Sequence, residues 1–363
     1  MLHILNIRLK TTRSLILTAA WRYRSMSSEP TAKKPCTMLK IGTHDGKFHC
    51  DEVLACFLLK QLDQYKKAEI VRSRNPALLD TCDIVVDVGG VYDPSKNRYD
   101  HHQRNFNETM QSLKPGKKWT TKLSSAGLVY LHFGNEIIAN VLNVASSDLK
   151  IDTIYDKVYE NFVEEIDAID NGINQTDTEP RYRITTNLSS RVNALNPKWN
   201  DKSVDEMAQF EKAMEVAGAE FIDRVTFYYS SWLPAHDLVL QAIVDRHKVD
   251  DSGQIVRLED GGAPWKDHLF RLEEEMGLPD PIIYVLFPDQ NGQWRIQCVP
   301  VSLSSFENRL SIKEEWKGLR DKDLSETSGI KDCIFVHTSG FIGGNKTYDG
   351  VLEMARKCLA SKA

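Results

Sequence analysis

The sequence predicts an α/β protein, with a parallel-sheet domain carrying helices on both faces and a smaller α+β domain after it. Three observations lead there. Short apolar, β-branched runs at Met38–Thr43, Glu69–Arg72 and Ile84–Val88 alternate with helical apolar spacing such as Leu54, Phe57, Leu58 and Leu62. That alternation is the pattern of strands buried in a parallel sheet and covered by helices. Helical periodicity then dominates from Ser124 to about Asn171 and from about Val204 to Ser231. After residue 235 the pattern turns to strands, at Ile255–Leu258, Ile282–Phe287, Trp294–Val301 and Cys333–His337, with a closing helix over Tyr348–Leu359. Asp289 to Gly292 reads as the loop of a hairpin.

Size and composition narrow the function. With 363 residues the chain exceeds one ordinary domain. No apolar run reaches the roughly 20 residues of a membrane-spanning helix, so no membrane partner is expected. A net charge of −5 excludes a broad cationic face for duplex DNA and leaves only local basic patches. The seven cysteines are scattered and form no C-x-x-C pair, which fits a reducing compartment better than a disulfide framework or a zinc ribbon.

Residues 1–28 hold Arg8, Lys10, Arg13, Arg22 and Arg24 and no acidic residue. This reads as a mitochondrial transit peptide addressed to the matrix, the alternative being a disordered basic tail. Initiation at Met26 would give a second form without the presequence, placed in the cytosol or nucleus. Residues 29–38, with Pro30 and Pro35, read as a linker. The expected division is then a catalytic domain over 39–235 and a substrate-binding domain over 236–363, with the active site between them.

Four elements carry chemistry. The first strand runs directly into Thr43-His-Asp-Gly-Lys-Phe-His-Cys-Asp-Glu52, which sets His44, His49, Asp51 and neighbouring carboxylates at a strand's C-terminal end. Ligands of open α/β sheets bind there. Asp51 stands where the N-cap of the next helix is expected. Asp87 ends an apolar strand at the same rim, where a buried carboxylate requires a positive partner or serves as a cap for the Gly89-Gly90 turn. Asp100-His101-His102 can offer one imidazole to a metal and the other to substrate, with Asp100 orienting a ring. Asp167 and Asp170 lie three apart at a helix end, so both can share one face, and spacing leaves open which of them is a ligand. Imidazole and carboxylate together suit Mn²⁺ or Mg²⁺.

In this order the elements resemble the DHH phosphoesterase superfamily. They are closer still to the melanocyte proliferating gene protein family, through Gly42 to Glu52, Asp87-Val-Gly-Gly90, Tyr99-Asp-His-His-Gln103, Lys122-Leu-Ser-Ser-Ala-Gly127 and Ser339-Gly-Phe-Ile-Gly-Gly344. The resemblance spans most of the chain from about residue 40. It implies a DHH-like fold and a dinuclear Mn²⁺ or Mg²⁺ centre that activates water for phosphodiester hydrolysis. His44 and His49 would hold one ion, Asp51, His101 and Asp170 the other. Asp87 would bridge them and His102 would meet the scissile phosphate. The activity implied is 3′–5′ trimming of single-stranded RNA. Two departures stand out. His49 occupies a place where wider relatives commonly carry Asp, and Gly343-Gly344-Asn345 replaces their usual Gly-Gly-His.

Weaker features point to phosphate handling. Ser124 and Ser125 open a helix whose N-terminus attracts anions, although an N-cap serine explains them equally. Lys122 and Arg104 add charge, and Gly343, Gly344, Asn345 and Lys346 precede a helix in the second domain. The same ligands would serve a pyrophosphatase or nano-RNase, and a metal-binding adaptor without catalysis is the reading from another class.

Overall fold

A computed structural model describes residues 38–200 and 203–361. The segment expected to be a presequence and nearly all of the expected linker lie outside the described residues. The strands are β1 (Lys40–Thr43), β2 (Glu69–Arg72), β3 (Ile84–Val86), β4 (Tyr92–Asp93), β5 (Arg98–Tyr99), β6 (Ile255–Arg257), β7 (Tyr284–Pro288), β8 (Trp294–Cys298), β9 (Cys333–Val336) and β10 (Ile342–Asn345). They form two five-stranded mixed sheets, ordered β2-β1-β3-β5-β4 and β6-β7-β8-β10-β9.

In the first sheet β2, β1, β3 and β5 run parallel, and β4 returns antiparallel on the edge. Alternation along the strands divides its faces. Ile41, Ile84, Val86 and Tyr99 point into a large core with α1 (Cys50–Leu59), α2 (Ser125–Leu142), α3 (Lys150–Val158) and α4 (Glu164–Asp170). Val85 points the other way, into a small cluster with Leu79, Cys82, Val71 and Val88 beneath the helical turn Pro76–Leu79. Helices therefore cover this sheet unequally, a correction to the expected layers. Strands of two to four residues present too little apolar surface to seat a second row of helices.

The second sheet is covered more evenly. Leu286, Ile296 and Val336 pack with α9 (Tyr348–Ala360), while Val256, Val285 and Val299 pack beneath α7 (Leu233–Val244) and α8 (Trp265–Met276). β6 and β7 are parallel, and the rest of this sheet is antiparallel. The β7–β8 hairpin closes where Asp289 N–H donates to Gln293 O at 2.6 Å and Gly292 takes φ 73°. Two further helices, α5 (Leu188–Asn193) and α6 (Glu206–Phe227), complete the first core. Core membership changes between Trp232, which joins the first core, and Val239, which joins the second, and α7 runs unbroken across residue 235.

Among the described residues no helix is long and apolar enough to cross a membrane. The six described cysteines are buried and unpaired.

Candidate metal centre

The C-terminal ends of three parallel strands deliver the chemistry. His44 follows β1, Asp87 follows β3, and Asp100, His101 and His102 follow β5. Asp87 sits just past β3 with φ 57°, a left-handed conformation that Asp tolerates better than β-branched residues do. Its N–H donates to Tyr99 O at 3.2 Å, so the turn is tied to β5. Gly89 and Gly90 also take positive φ, which lets the chain double back at once.

Asp87 then stands between two imidazoles. Its Oδ2 lies 3.4 Å from His44 Nε2 and its Oδ1 3.4 Å from His101 Nε2. The His44 Nδ1 lies 3.0 Å from the Asp45 carbonyl, which fixes the tautomer and leaves Nε2 facing the cluster. Beside it Glu52 Oε1 is 3.0 Å from His44 Nε2 and accepts the His49 N–H at 2.9 Å. Asp51, the second residue of α1, points inward; the helix is preceded by His49 at the N-cap, so Asp51 is not the cap expected. On the far side His101 Nε2 is 3.0 Å from Asp170 Oδ2 and 3.8 Å from Asp51 Oδ2.

Asp51 is held by the start of α2. Its carboxylate accepts Ser124 Oγ at 2.5 Å, Ser125 N–H at 3.0 Å and Ala126 N–H at 2.5 Å. The N-terminus of α2 thus spends its donors on a protein carboxylate. This corrects the expectation that Ser124 and Ser125 meet substrate, for both are fully buried. Asp167 lies behind them, accepting Ser124 N–H at 2.9 Å and Tyr159 O–H at 2.9 Å, with the Ser124 hydroxyl oxygen 2.8 Å away. Of the two carboxylates three residues apart, Asp170 faces His101 and Asp167 supports Ser124.

The electrostatics call for added positive charge. Burial, then the neighbouring Asp170 and Asp87, push Asp51 well above the usual carboxylate range. Burial opposes charge on His44 and His101, yet the carboxylates facing them outweigh it and raise the rings to about 10 and about 11. Burial also works against ionised Asp87, but the His101 and His44 rings win and hold it below the usual range. Glu52 Oε2 and both His101 ring nitrogens are buried without a completed hydrogen bond, an arrangement costly in isolation. Three donor groups could each take a metal: His44, His49 and Glu52; Asp87, His101 and His102; Asp51, His101 and Asp170. Orphaned donors and crowded carboxylates fit a divalent cation. Burial drives the Cys50 thiol up, away from the thiolate a metal needs.

These residues open into a cleft of about 760 Å³, lined also by Arg74, Gly89, Gly90, Ile169, Asn187, Ser189, Ser190 and Asn193. Every residue of its lining falls between 44 and 193, and the second sheet contributes none. The expectation of a site between two domains is corrected accordingly. His102 is exposed, as is His49, and its Nδ1 lies 2.8 Å from Asp100 Oδ1; Asp100 also accepts the His102 and Gly90 N–H groups. Arg104 is exposed but lies outside the cleft lining. Lys122 holds its ammonium 5.8 Å from the Phe106 ring centre, and that ring packs edge-on to His101.

Gly343, Gly344 and Asn345 form strand β10 rather than a helix-capping loop. Asn345 is fully buried; its amide donates to Lys331 O at 2.7 Å and its oxygen accepts Thr347 N–H at 2.9 Å. Its polar atoms are committed to the backbone, which corrects the expected substrate contact. Lys346 is exposed, 3.7 Å from Asp332. Glu52 is the residue sequence reasoning did not single out: it stood only among the carboxylates of the first loop, and the structure sets it both beside His44 and on the His49 N–H at the start of α1.

The fold and site define an α/β protein with a buried imidazole–carboxylate centre suited to divalent metal. Residues 40–359 match the MYG1 exonuclease family, described as an uncharacterised protein family (UPF0160), and the chain belongs to it. It is 56% identical over 352 residues to the MYG1 exonuclease of Mus musculus, covering 96% of this chain and 93% of that one. Against the MYG1 exonuclease of Homo sapiens it is 54% identical over 349 residues, covering 94% and 93%. The MYG1 protein YER156C of Saccharomyces cerevisiae is 45% identical over 347 residues, covering 92% and 100%.

Proposed function

We propose that this chain is a two-metal phosphodiesterase of the DHH type that trims single-stranded RNA from its 3′ end. One observation carries the reading: the two oxygens of Asp87 face imidazoles belonging to different donor groups. A carboxylate so placed is suited to join two cations. His44, His49 and Glu52 would hold one ion and Asp51, His101 and Asp170 the other. Asp51, Glu52, Asp87 and Asp170 bring four formal negative charges, which two divalent cations would balance. The donors are carboxylate and imidazole, which favours Mn²⁺ or Mg²⁺. Relatives bearing the name exonuclease support a nucleic-acid substrate.

When bound, the ions would acidify a water and neutralise charge on the phosphate. The protein's own groups do the rest. The start of α2 keeps Asp51 from turning away, and the Asp45 carbonyl aims His44. The hydrogen bond to Asp100 raises His102 above its ordinary value, which favours the protonated ring that can donate to a phosphate oxygen. Lys122 and Arg104, neither paired with a carboxylate among the described residues, supply positive potential beside the site. Two addresses, mitochondrial from Met1 and nuclear or cytosolic from Met26, belong to the same proposal.

The test follows 3′-blocked and unblocked single-stranded RNA, with pyrophosphate alongside, in Mn²⁺ or Mg²⁺. Stepwise shortening of the unblocked strand alone is the expected result. Turnover of pyrophosphate instead would keep the centre and change the substrate, and no turnover at all would leave a metal-binding adaptor.

A further inference from the structure

The chain leaves the metal centre at Asp170 and re-enters the same cleft at Asn187, and both residues line it. Residues 172–186 between them are all exposed. From 174 to 186 no backbone group hydrogen-bonds to another described backbone group. Irregular stretches of this length are uncommon within compact domains, and those that are not linkers or disordered segments are usually functional. This one carries Arg181, Tyr182 and Arg183 in succession, with Tyr182 75% exposed. Asp177 and Glu179 lie on the same stretch, yet neither arginine pairs with them or with any other described carboxylate. Nearby cations behave differently: Arg74 pairs with Asp45, and Arg191 pairs with Glu220. Arg183 is four residues from Asn187, so its backbone stays within about 14 Å of the cleft wall.

We infer that residues 172–186 form a strand-holding arm, in which Arg181 and Arg183 grip phosphates and Tyr182 stacks a base upstream of the terminal nucleotide. The inference rests on the phosphodiesterase reading and deepens it to polymer over small phosphate. Guanidinium pairs with phosphate and an aromatic face with any base, a combination suited to single strands without sequence preference. A pyrophosphate at the centre has nothing to offer such an arm. The neutral wall of Asn187, Ser189, Ser190 and Asn193 would then border the terminal nucleotide.

The experiment compares the full chain with Arg181→Ala/Arg183→Ala and with Tyr182→Ala. One readout is the anisotropy of a fluorescein-labelled oligouridylate, and the other is metal-dependent turnover of bis(p-nitrophenyl) phosphate. Tyr182→Ala should weaken oligonucleotide binding roughly tenfold, the scale of one lost stacking contact, and the double variant, which loses two phosphate contacts, at least as much. The double variant should also flatten the salt dependence of binding by about 1.4 in log–log slope, two phosphates' worth for a single strand. Turnover of the small ester and the melting temperature should stay as in the unaltered chain. Arg181→Lys/Arg183→Lys should recover part of the binding. Unchanged oligonucleotide affinity in the variants, or no binding by the unaltered chain, would overturn the arm. A failure of the phosphodiesterase reading shows separately, as no turnover of the small ester by the unaltered chain.

Discussion

His44 and Asp87 face each other across 3.4 Å, Nε2 to Oδ2, while the second nitrogen of the ring is taken by the Asp45 carbonyl. Once a cation displaces its proton, the ring would present one lone pair in one direction, on the side of a carboxylate that also faces His101. Asp87→Asn keeps the shape and removes the charge. It should lower metal affinity at least ~100-fold, the upper end of what even an indirect ligand contact is worth. Circular dichroism of the metal-free protein should not change. Calorimetric titration with Mn²⁺ checks the first statement, and retained affinity would contradict it.

Metal should stabilise the fold, because the donor cluster assembles only in the folded chain. At one hundred times Kd the gain is about 2.7 kcal/mol. Thermal melts with and without Mn²⁺ should separate for the natural sequence and coincide for Asp87→Asn.

Gly127 lies where any side chain would enter the space of the Asp167 carboxylate. Gly127→Ala should displace Asp167, then Ser124, then Asp51. The expected loss is about 1–3 kcal/mol of stability, typical of overpacking, with metal affinity falling roughly 10–100-fold as for other supporting contacts. Urea unfolding and the same calorimetric titration measure both; an unchanged affinity would break the chain of contacts from Gly127 to Asp51.

Asp167 gives a pH signature. Burial raises it from 3.8 to about 7, against the hydrogen bonds from Ser124 and Tyr159. The folded protein then binds this proton more tightly than the unfolded chain does. Its contribution is present at low pH and is lost as pH rises from about 4 to about 7, with a slope of up to ~1.4 kcal/mol per pH unit. In EDTA, stability of the natural sequence minus that of Asp167→Asn should fall across that window and flatten above it. A difference independent of pH would refute the raised value.

Much of the centre was legible because its residues interrupt regular patterns. Asp87 ends a β-branched run and His44 follows a strand, while Asp100-His101-His102 stood out by its residue types alone. Spacing could not separate Asp167 from Asp170, since residues three apart share a helix face and only the packing of α2 decides which meets Ser124 and which meets His101. β4 and β5 were missed because two residues are too few to show a period. β10 was missed because Gly343 and Gly344 lack strand propensity, and its pairing with β8 and β9 overrides that.

Asn345 shows the cost of reading a motif without its fold. Asn345→Ala removes the partners of Lys331 O and Thr347 N–H and should cost about 1–3 kcal/mol, the range for unsatisfied buried groups. KM and kcat of the folded fraction should not move. A raised KM at unchanged stability would return this residue to the substrate site.

The central claim is that Asp87 joins two ions, and electron paramagnetic resonance of the Mn²⁺-loaded protein tests it most directly. Two ions per chain with an exchange-coupled spectrum, reduced in Asp87→Ala to uncoupled Mn²⁺, is the result predicted here. A single ion per chain, or two that give the uncoupled spectrum in the natural sequence, would contradict it.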